Sequence, residues 1–247
     1  MLDETSVELV MPRGADGTIF RNKDGECIKR LSHWSSGAVR SVLSVYNALL
    51  AAHIPTFDKY EPDFDKHEIR MNDVSNGGKN LVVSATDFLK FARQPDGSTE
   101  ENVDIDSIAH LWTTSTRNKP VQNPDVFVDE FRKLVDLTIQ NNFRFVFSVY
   151  FLIATPNGTL STIVGDIEDA AMGNQYPGSR QRLEHDEISA QVDNAAHYLA
   201  NVALPFFPAL QSHILDTFTY FERKYHISLY PYREAVLNKK INFHALP

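Results

Sequence analysis

Residues 143–166, FRFVFSVYFLIATPNGTLSTIVGD, contain the longest β-like run of the chain. Phe, Val, Tyr and Ile occupy both parities of its first half, a pattern typical of a strand that is covered on both faces. The turn residues Pro156-Asn157-Gly158 follow, and a more polar strand-like segment comes after them. The stretch therefore predicts a hairpin whose first strand is central to a sheet with other elements packed on each side.

Amphipathic helices that would cover such a sheet are predicted from the apolar spacing. Asn123 as the N-cap and Pro124 at the first helical position predict a helix over 124–140. Helical spacing predicts the remaining helices, which are 35–53, 183–203 and Phe206–Tyr225. The predicted fold class is α+β, a single domain over residues 1–247 with a mostly antiparallel β-sheet core or sandwich covered by amphipathic helices.

Turn residues and proline divide the rest of the chain. Asp-Gly turns predict a hairpin over 5–30, and residues 80–92 are predicted to form a strand. The segments predicted to be loop-rich or irregular are 55–78, 93–123 with a short helical piece at Ile105–Trp112, and the tail after Tyr225 with one strand.

Composition excludes several classes of protein. The 247 residues carry a formal net charge of −8 with scattered basic residues, which argues against a general nucleic-acid binder. A single cysteine permits neither an intrachain disulfide nor a multi-cysteine zinc site, and it favours a reducing compartment. The acidic start is unlike a signal peptide, and no apolar run approaches the roughly 20 residues of a membrane helix. We expect a soluble cytoplasmic protein without a cofactor, membrane contact or nucleic-acid ligand.

Motifs for nucleophilic catalysis are absent from the sequence. There is no G-x-S-x-G elbow, and Cys27 stands beside Glu26, whose negative charge would raise the thiol pKa. Cys27 is interpreted as a small core or edge residue. His197 and His213 match no H-E-x-x-H pattern and are interpreted as packed or surface histidines.

One cluster has the residue types of a metal site. Asp63, Asp65 and His67 alternate, so an extended backbone would place all three side chains on one face. Carboxylates and an imidazole together bind divalent cations. The same segment also contains Pro62 and is typical of a solvated loop, so both interpretations stay open at this point.

Aromatic residues are concentrated near the C-terminus. They would form either the core of a helical layer or a self-association surface, since Tyr and Phe are favoured at interfaces. The interface candidates are Phe207, Phe218, Tyr220, Phe221, Tyr225, Tyr230 and Tyr232.

The order of several short segments resembles the cypovirus polyhedrins, the matrix proteins of viral occlusion bodies. The segments cover about a third of the chain, with Asp-Gly in the first and Tyr-Pro-Tyr in the last. They are Thr5–Asp24, Val128–Phe131 (VDEF), Phe147–Phe151 (FSVYF), Ser161–Gly165, Asp193–Asn201 (DNAAHYLAN) and Tyr230–Tyr232. The chain departs from the family where a helical arm is expected, because its first strand is predicted to start by Thr5, and 93–123 resembles an insertion.

The resemblance implies a structural protein whose working parts are contacts between copies, with trimers packed into a lattice. Such a lattice is expected to resist neutral conditions and to dissolve at alkaline pH, because Tyr, His and acidic side chains become more negative as the pH rises. Two alternatives remain from the sequence. One is a metal-assisted hydrolase that uses Asp63, Asp65 and His67, and the other is a small protein-binding or inhibitor module with an exposed aromatic surface.

Overall fold

The computed structural model describes residues 8–11, 17–22, 24–31, 35–77, 79–84, 120–172 and 182–238. Four predicted features lie outside these ranges. They are the second half of the strand predicted over 80–92, most of the segment 93–123, its helical piece Ile105–Trp112, and the end of the tail after residue 238.

The first half of the chain forms a five-stranded antiparallel sheet with one helix inserted. The strands follow the order β1-β2-β3-β5-β4, and α1 connects β3 to β4. Their bounds are β1 Glu8–Met11, β2 Gly17–Arg21, β3 Glu26–Leu31, α1 Ser36–Ala51, β4 Tyr60–Asp63 and β5 Glu68–Asn72. Apolar residues at helical spacing bury one face of α1, where the Tyr46 ring lies 5.2 Å from that of Tyr60 on β4.

A second antiparallel sheet has three strands, in the order β6-β7-β8. Their bounds are β6 Leu81–Ser84, β7 Tyr150–Ala154 and β8 Leu160–Val164. The hairpin predicted around Pro156-Asn157-Gly158 is confirmed, with β7 as the central strand. Tyr150 and Leu152 point to one face and Ile153 to the other, and all three are buried, as expected of a strand covered on both sides.

Nine helical segments follow β6 among the described residues, and six of them are longer than three residues. They are α2 Pro124–Gln140, α3 Ile167–Met172, α4 His185–Tyr198, a π-helix Leu199–Ala203, α5 Gln211–Tyr225 and α6 Tyr230–Asn238. A single α-helical turn, Leu204–Phe206, and two 3₁₀ turns, Phe147–Val149 and Pro208–Leu210, join these elements. The α+β class is confirmed, and every strand pair described is antiparallel apart from an isolated bridge between Thr56 and Val164.

One hydrophobic cluster unites both sheets and the helices, from Cys27 on β3 to Val236 on α6. Its centre is aromatic: the rings of Tyr150 and Tyr198 lie 5.3 Å apart, and Phe131 of α2 lies 5.6 Å and 5.2 Å from them. Such pairs contribute about 0.5–1.5 kcal/mol each beyond the burial of their area. The helices thus cover β7 with apolar and aromatic side chains.

Asn123 acts differently from the sequence prediction. It occupies the N-cap position of α2, but its side chain makes no capping hydrogen bond. Instead its Nδ2 donates to the carbonyl of Leu160 at 2.9 Å, and its Oδ1 accepts from the Leu160 N–H at 2.8 Å. Gly158 next to β8 has a φ of 87°, and a Cβ there would collide with the carbonyl oxygen of Pro120. These contacts join the start of α2 to the β7–β8 hairpin.

Three predictions differ from the structure in their secondary structure. The loop-rich segment 55–78 contains β4 and β5, because Pro62 is tolerated on an edge strand. The run from 143 becomes a strand only at Tyr150, since the Gln191 amide occupies the backbone N–H and carbonyl of Phe145. The described part of the tail after Tyr225 contains α6, where an irregular chain was predicted. Within the described ranges, no helix has the length and apolar character needed to cross a membrane.

Candidate functional site

Three polar side chains stand one turn apart on a single face of α4 and its π-helical continuation. They are Asp193, His197 and Asn201, at positions i, i+4 and i+8, and we call them the α4 polar ladder. Their burial increases along the ladder: Asp193 is half-buried, His197 is 5% exposed and Asn201 is 1% exposed. The ladder therefore leads from the surface into the core.

Two aromatic rings flank the ladder at His197. The ring of Phe147, in the 3₁₀ turn before β7, has its centroid 4.5 Å from the imidazole. The ring of Tyr232 on α6 meets the imidazole edge-on at 6.3 Å. The polar ladder thus lies between the turn before β7 and the inner face of α6.

The hydrogen bonds of the ladder leave acceptors without partners. The Nδ2 of Asn201 lies 3.1 Å from the Nδ1 of His197, while the buried Oδ1 of Asn201 has no hydrogen-bond partner. Rotating the terminal amide would only exchange which of its two atoms is unpartnered. In the described part of the chain, no hydrogen bond or ion pair involves the Asp193 carboxylate. An unpartnered buried amide atom is costly, about 1–3 kcal/mol, and such an atom is rare in a folded core.

Pro205 accounts for the π-helix below the ladder. Proline lacks an N–H and its ring collides with the carbonyl four residues earlier, which is that of Asn201. The helix widens to avoid this contact, and the N–H of Leu204 bonds to the carbonyl of Leu199, five residues back. π-helical turns are frequent at functional sites. The widened turn is the one that contains Asn201.

Burial sets the protonation of the ladder. Burial lowers the pKa of His197 to about 4, so its imidazole is neutral at pH 7. Burial raises the pKa of Asp193 above its ordinary value. Burial, together with the nearby charge of Asp193, raises the pKa of the Tyr232 hydroxyl to about 12. The Nδ1 of His197 faces the Asn201 amide, so the tautomer of the neutral imidazole follows the orientation of that amide.

The metal candidates from the sequence do not share a face. Asp63 ends β4, whereas Asp65 and His67 lie in the turn before β5, where His67 has a φ of 56°. The alternation argument needs an extended backbone, and the hairpin turn removes it. The Asp63 carboxylate accepts from the Lys66 backbone at 3.1 Å and pairs with the Lys66 ammonium at 3.3 Å. Among the residues that the structure describes, no group of three His, Cys, Asp or Glu side chains is arranged to hold a metal.

The aromatic interface candidates divide into three groups. Phe207, Phe218, Phe221 and Tyr232 are buried within the core, which corrects their assignment to a surface. Tyr220 and Tyr225 donate hydrogen bonds to the Asp136 carboxylate at 2.6 Å and 2.5 Å and so hold α5 against α2. Tyr230 remains accessible, at 61% exposure. Six of the seven residues therefore belong to the helical layer, either on the packed faces of α5 and α6 or, for Phe207, in the chain just before α5.

The outer face of α6 carries an apolar surface. Tyr230 and Leu237 are seven residues apart, on the same side of the helix, and each is 61% exposed. Between them the Glu234 carboxylate accepts a hydrogen bond from the Tyr230 hydroxyl at 2.6 Å. Arg233 is paired with Glu222 at 2.8 Å. We call Tyr230, Glu234 and Leu237 the α6 outer face; its charged groups already have partners inside the protomer.

Cys27 is buried on β3, as the sequence analysis expected of a core residue. Burial raises the pKa of its thiol to about 12, with a smaller contribution from the charge of Asp73. The neighbouring charge is therefore Asp73, at the end of β5, rather than Glu26. A thiol in this setting is a poor nucleophile.

The sequence patterns considered above single out only His197 of the α4 polar ladder. The i, i+4, i+8 spacing of Asp193, His197 and Asn201 within a predicted helix was the available signal. The outer face of α6 was represented by Tyr230 only, because the tail was predicted to be irregular.

Comparisons with known proteins add little to this description. No protein-family model matches the chain, and no curated protein matches it. A crystal structure of a Helicobacter pylori proinflammatory kinase, CtkA, aligns with 97% of this chain and 95% of its own at 10% identity, with a TM-score of 0.41. That similarity is too distant for an activity to be transferred.

Acidification is expected to destabilise the protein through His197. Its pKa in the folded chain, about 4, lies below the ordinary 6.5, so the unfolded chain takes up the proton first as the pH falls. The contribution of His197 to stability is complete above pH 6.5, the ordinary histidine pKa. It is lost as the pH falls from 6.5 to about 4, by about 3 kcal/mol in total. The raised pKa of Asp193 has the opposite effect on stability, because the folded chain takes up this proton before the unfolded chain does. That effect falls at lower pH, nearer the ordinary range of a carboxyl group.

Urea unfolding at a series of pH values measures this effect. In His197→Gln the free energy of unfolding is expected to decrease less steeply at pH values above those at which carboxyl groups titrate. His185→Gln, at an exposed position at the start of α4, should leave the decrease unchanged. An equally steep decrease in His197→Gln would contradict the assignment.

Proposed function

We propose that the protein is a structural, self-associating protein and that a second copy of the chain binds to the α6 outer face. The observation that carries the proposal is the pair Tyr230 and Leu237, each 61% exposed on one side of a helix whose other side is fully packed. Large apolar side chains aligned on one face are typical of association sites. The polyhedrin resemblance favours an intracellular matrix role, with copies packed into a lattice.

Net charge limits which surfaces two copies can share. The chain carries a formal net charge of −8, so most surfaces of two copies repel each other. On the α6 outer face, the Glu234 carboxylate is bound to Tyr230, and the neighbouring Arg233 is bound to Glu222. Two copies related by a twofold axis would bring Tyr230 and Leu237 of each copy together, with one carboxylate, Glu234, from each copy in the contact.

The size of the contact determines its expected strength. A stable dimer buries about 800 Å² per partner, more than one nine-residue helix presents. A contact through the α6 outer face alone is therefore weak, and stable assembly needs further contacts that act together. Repeated weak contacts are the form of association that a lattice uses.

Sedimentation velocity over a range of concentrations near pH 7 tests this contact. The double variant Tyr230→Gln with Leu237→Gln keeps helix-forming side chains and is expected to shift the assembled species toward monomer. Val126→Gln is the matched control, since Val126 is 52% exposed on a different helix, α2. Unchanged assembly in the double variant would overturn the role of this face.

A heterologous partner is the other outcome of the same experiment. If the wild-type chain is monomeric alone but binds one partner in fixed stoichiometry, and the double variant loses that partner, the chain is a binding module instead. That result would contradict the proposed self-association.

A further inference from the structure

We propose that Asn76 is a site of spontaneous deamidation, in which the backbone nitrogen of Gly77 attacks the Asn76 side chain and leaves aspartate or isoaspartate at this position. The inference is independent of self-association, because it concerns the loop between β5 and β6 and not α6. It rests on a comparison of two Asn-Gly pairs, Asn76-Gly77 and Asn157-Gly158, which have the same chemistry and different surroundings.

The reaction needs an asparagine side chain that can reach the next backbone nitrogen. The nitrogen of Gly77 bonds to Cγ of Asn76 and the bond from Cγ to Nδ2 breaks, so the amide group leaves as ammonia with the proton of the Gly77 N–H. Water then opens the cyclic imide at one of its carbonyl groups. Opening at one carbonyl gives aspartate, and opening at the other gives isoaspartate, in which the backbone runs through the side chain. Glycine favours the attack because it has no Cβ to hinder close approach.

The surroundings of Asn76 leave room for this reaction. Asn76 and Gly77 are both exposed in the turn after β5. Within the described ranges, no hydrogen bond involves the side chain of Asn76. A Cβ placed on Gly77 would meet no described atom within 4 Å apart from its chain neighbours. The space beside Gly77 can therefore accommodate the cyclic imide.

A hydrogen bond to Asp73 restrains the attacking nitrogen. The Gly77 N–H donates to Oδ2 of Asp73 at 2.8 Å. The same carboxylate accepts from Nε of Arg21 at 2.8 Å and from the backbone N–H of Ser75 at 2.9 Å, so several contacts fix its position. An N–H that faces a carboxylate loses its proton less readily, because a nearby negative charge disfavours a second one. Deamidation is therefore expected from the fraction of molecules in which this bond is open.

The second pair, Asn157-Gly158, is held by more contacts. Oδ1 of Asn157 accepts from the Thr155 hydroxyl and, at 3.3 Å, from the Thr159 N–H. Gly158 is buried, and its N–H donates to the carbonyl of Thr155 at 2.9 Å. The carbonyl of Gly158 accepts from the N–H of Gln122 at 3.0 Å. Opening this turn breaks several hydrogen bonds at once, so Asn157 is expected to react more slowly than Asn76.

Deamidation is expected to loosen the loop from Asp73. Either product adds a carboxylate close in the chain to that of Asp73, and like charges repel. Isoaspartate also adds a methylene group to the backbone just before Gly77. In the deamidated chain, separated by anion exchange, the amide hydrogen of Gly77 should exchange with solvent faster than in the unmodified chain. Unchanged exchange at Gly77 would contradict this consequence.

Asp73→Asn tests the hydrogen bond that restrains Gly77. A neutral amide holds the N–H less strongly than a carboxylate, so Asn76 should deamidate about threefold faster or more, with no change at Asn157. Asp63→Asn, which removes a carboxylate from the β4–β5 turn, is the matched control and should change neither rate. An unchanged or slower reaction at Asn76 in Asp73→Asn would contradict the role of Asp73. If this variant opens as a whole, both rates rise, and the two rates in the wild type then decide.

Peptide mass spectrometry of the full wild-type chain, incubated at mildly alkaline pH while it stays folded, measures both rates. Asn76 is expected to deamidate about tenfold faster than Asn157 or more, because additional hydrogen bonds close the second turn. Free peptides that cover 73–80 and 154–161 give the rates without the fold, and their Asn-Gly pairs should react at similar rates. Equal rates at Asn76 and Asn157 in the folded chain would overturn the proposal. Absence of reaction at Asn76 while the free peptide reacts completely would overturn it as well.

Discussion

Raising the pH above about 10 is expected to unfold the protein within a narrow range, because buried tyrosines must ionise. Burial raises the pKa of Tyr150 and Tyr198 at the centre of the core. Burial and the Asp136 carboxylate raise that of Tyr225, and burial raises that of Tyr232 to about 12. In the unfolded chain each hydroxyl titrates near its ordinary value of 10.0.

The sign and size of the effect follow from proton linkage. Because the folded chain keeps protons that the unfolded chain releases above pH 10, stability is complete below that value and is lost as the pH rises. Each such tyrosine removes about 1.4 kcal/mol per pH unit, so four remove roughly 5 kcal/mol per unit. For a stability of about 5–15 kcal/mol, unfolding is expected between about pH 11 and pH 13.

Circular dichroism and tyrosinate absorbance, followed together, measure this transition. Both signals should change at the same pH. Tyr150→Phe should make the loss of stability less steep by about 1.4 kcal/mol per pH unit, whereas Tyr230→Phe, exposed on α6 with its pKa raised mainly through Glu234, should change the slope much less. Gradual titration of all nine tyrosines with secondary structure retained would show that the tyrosine core is open to water.

Asp136→Ala is expected to be the most damaging single change outside the apolar core. The Asp136 carboxylate, 15% exposed, accepts from Tyr220, Tyr225 and the ammonium of Lys224, all on α5. Removing it leaves two tyrosine hydroxyls and a cation without their shared acceptor. Hydrogen bonds to a charged group contribute about 1.5–3 kcal/mol each in buried settings. Since this cluster is partly exposed, we expect a loss of about 2–4 kcal/mol.

Chemical denaturation of three variants tests the Asp136 cluster. Asp129→Ala, on the same helix and in an exposed ion pair with Arg132, should change the free energy of unfolding by less than about 0.5 kcal/mol. Asp136→Asn keeps one acceptor and should lie between Asp129→Ala and Asp136→Ala. Equal effects of Asp129→Ala and Asp136→Ala would mean that the cluster does not hold α5 against α2.

Local signals in the sequence predicted the parts of the fold that local chemistry determines. Pro124 marks the start of α2, and Gly158 occupies a turn that only a residue with positive φ can make. Strands β4 and β5 could not be found in this way, because β5 is stabilised by pairing with β3, as in Arg30 opposite Glu68, and β4 by pairing with β5. Such pairing depends on residues distant in the chain, and Pro62 is a residue type that predicts a loop rather than a strand.

The sequence predicted the alignment of the candidate site residues but not their burial. The spacing of Asp193, His197 and Asn201 places them on one face of any helix. The increase in burial along that face depends on Phe147 and on Tyr232, which belong to other elements. Since α6 was predicted to be irregular, nothing in the sequence indicated that a helix would cover the ladder on one side and expose Tyr230 and Leu237 on the other.

Any test of the proposed function must distinguish the dissolution of an assembly at high pH from the unfolding of the chain at high pH. A matrix protein of the proposed kind should release its copies while each copy remains folded. Dissolution of particles therefore has to occur below the unfolding transition expected between about pH 11 and pH 13. Particles that dissolve only together with the loss of circular dichroism would reflect unfolding and not release.

The assembly state of the wild-type chain near pH 7 is the most direct test of self-association. Light scattering on the freshly purified protein, across a range of concentrations, distinguishes a monomer from a growing assembly. We predict species much larger than the 28.0 kDa monomer, which become smaller on dilution and on raising the pH while the protein stays folded. A folded monomer at every concentration would contradict the account.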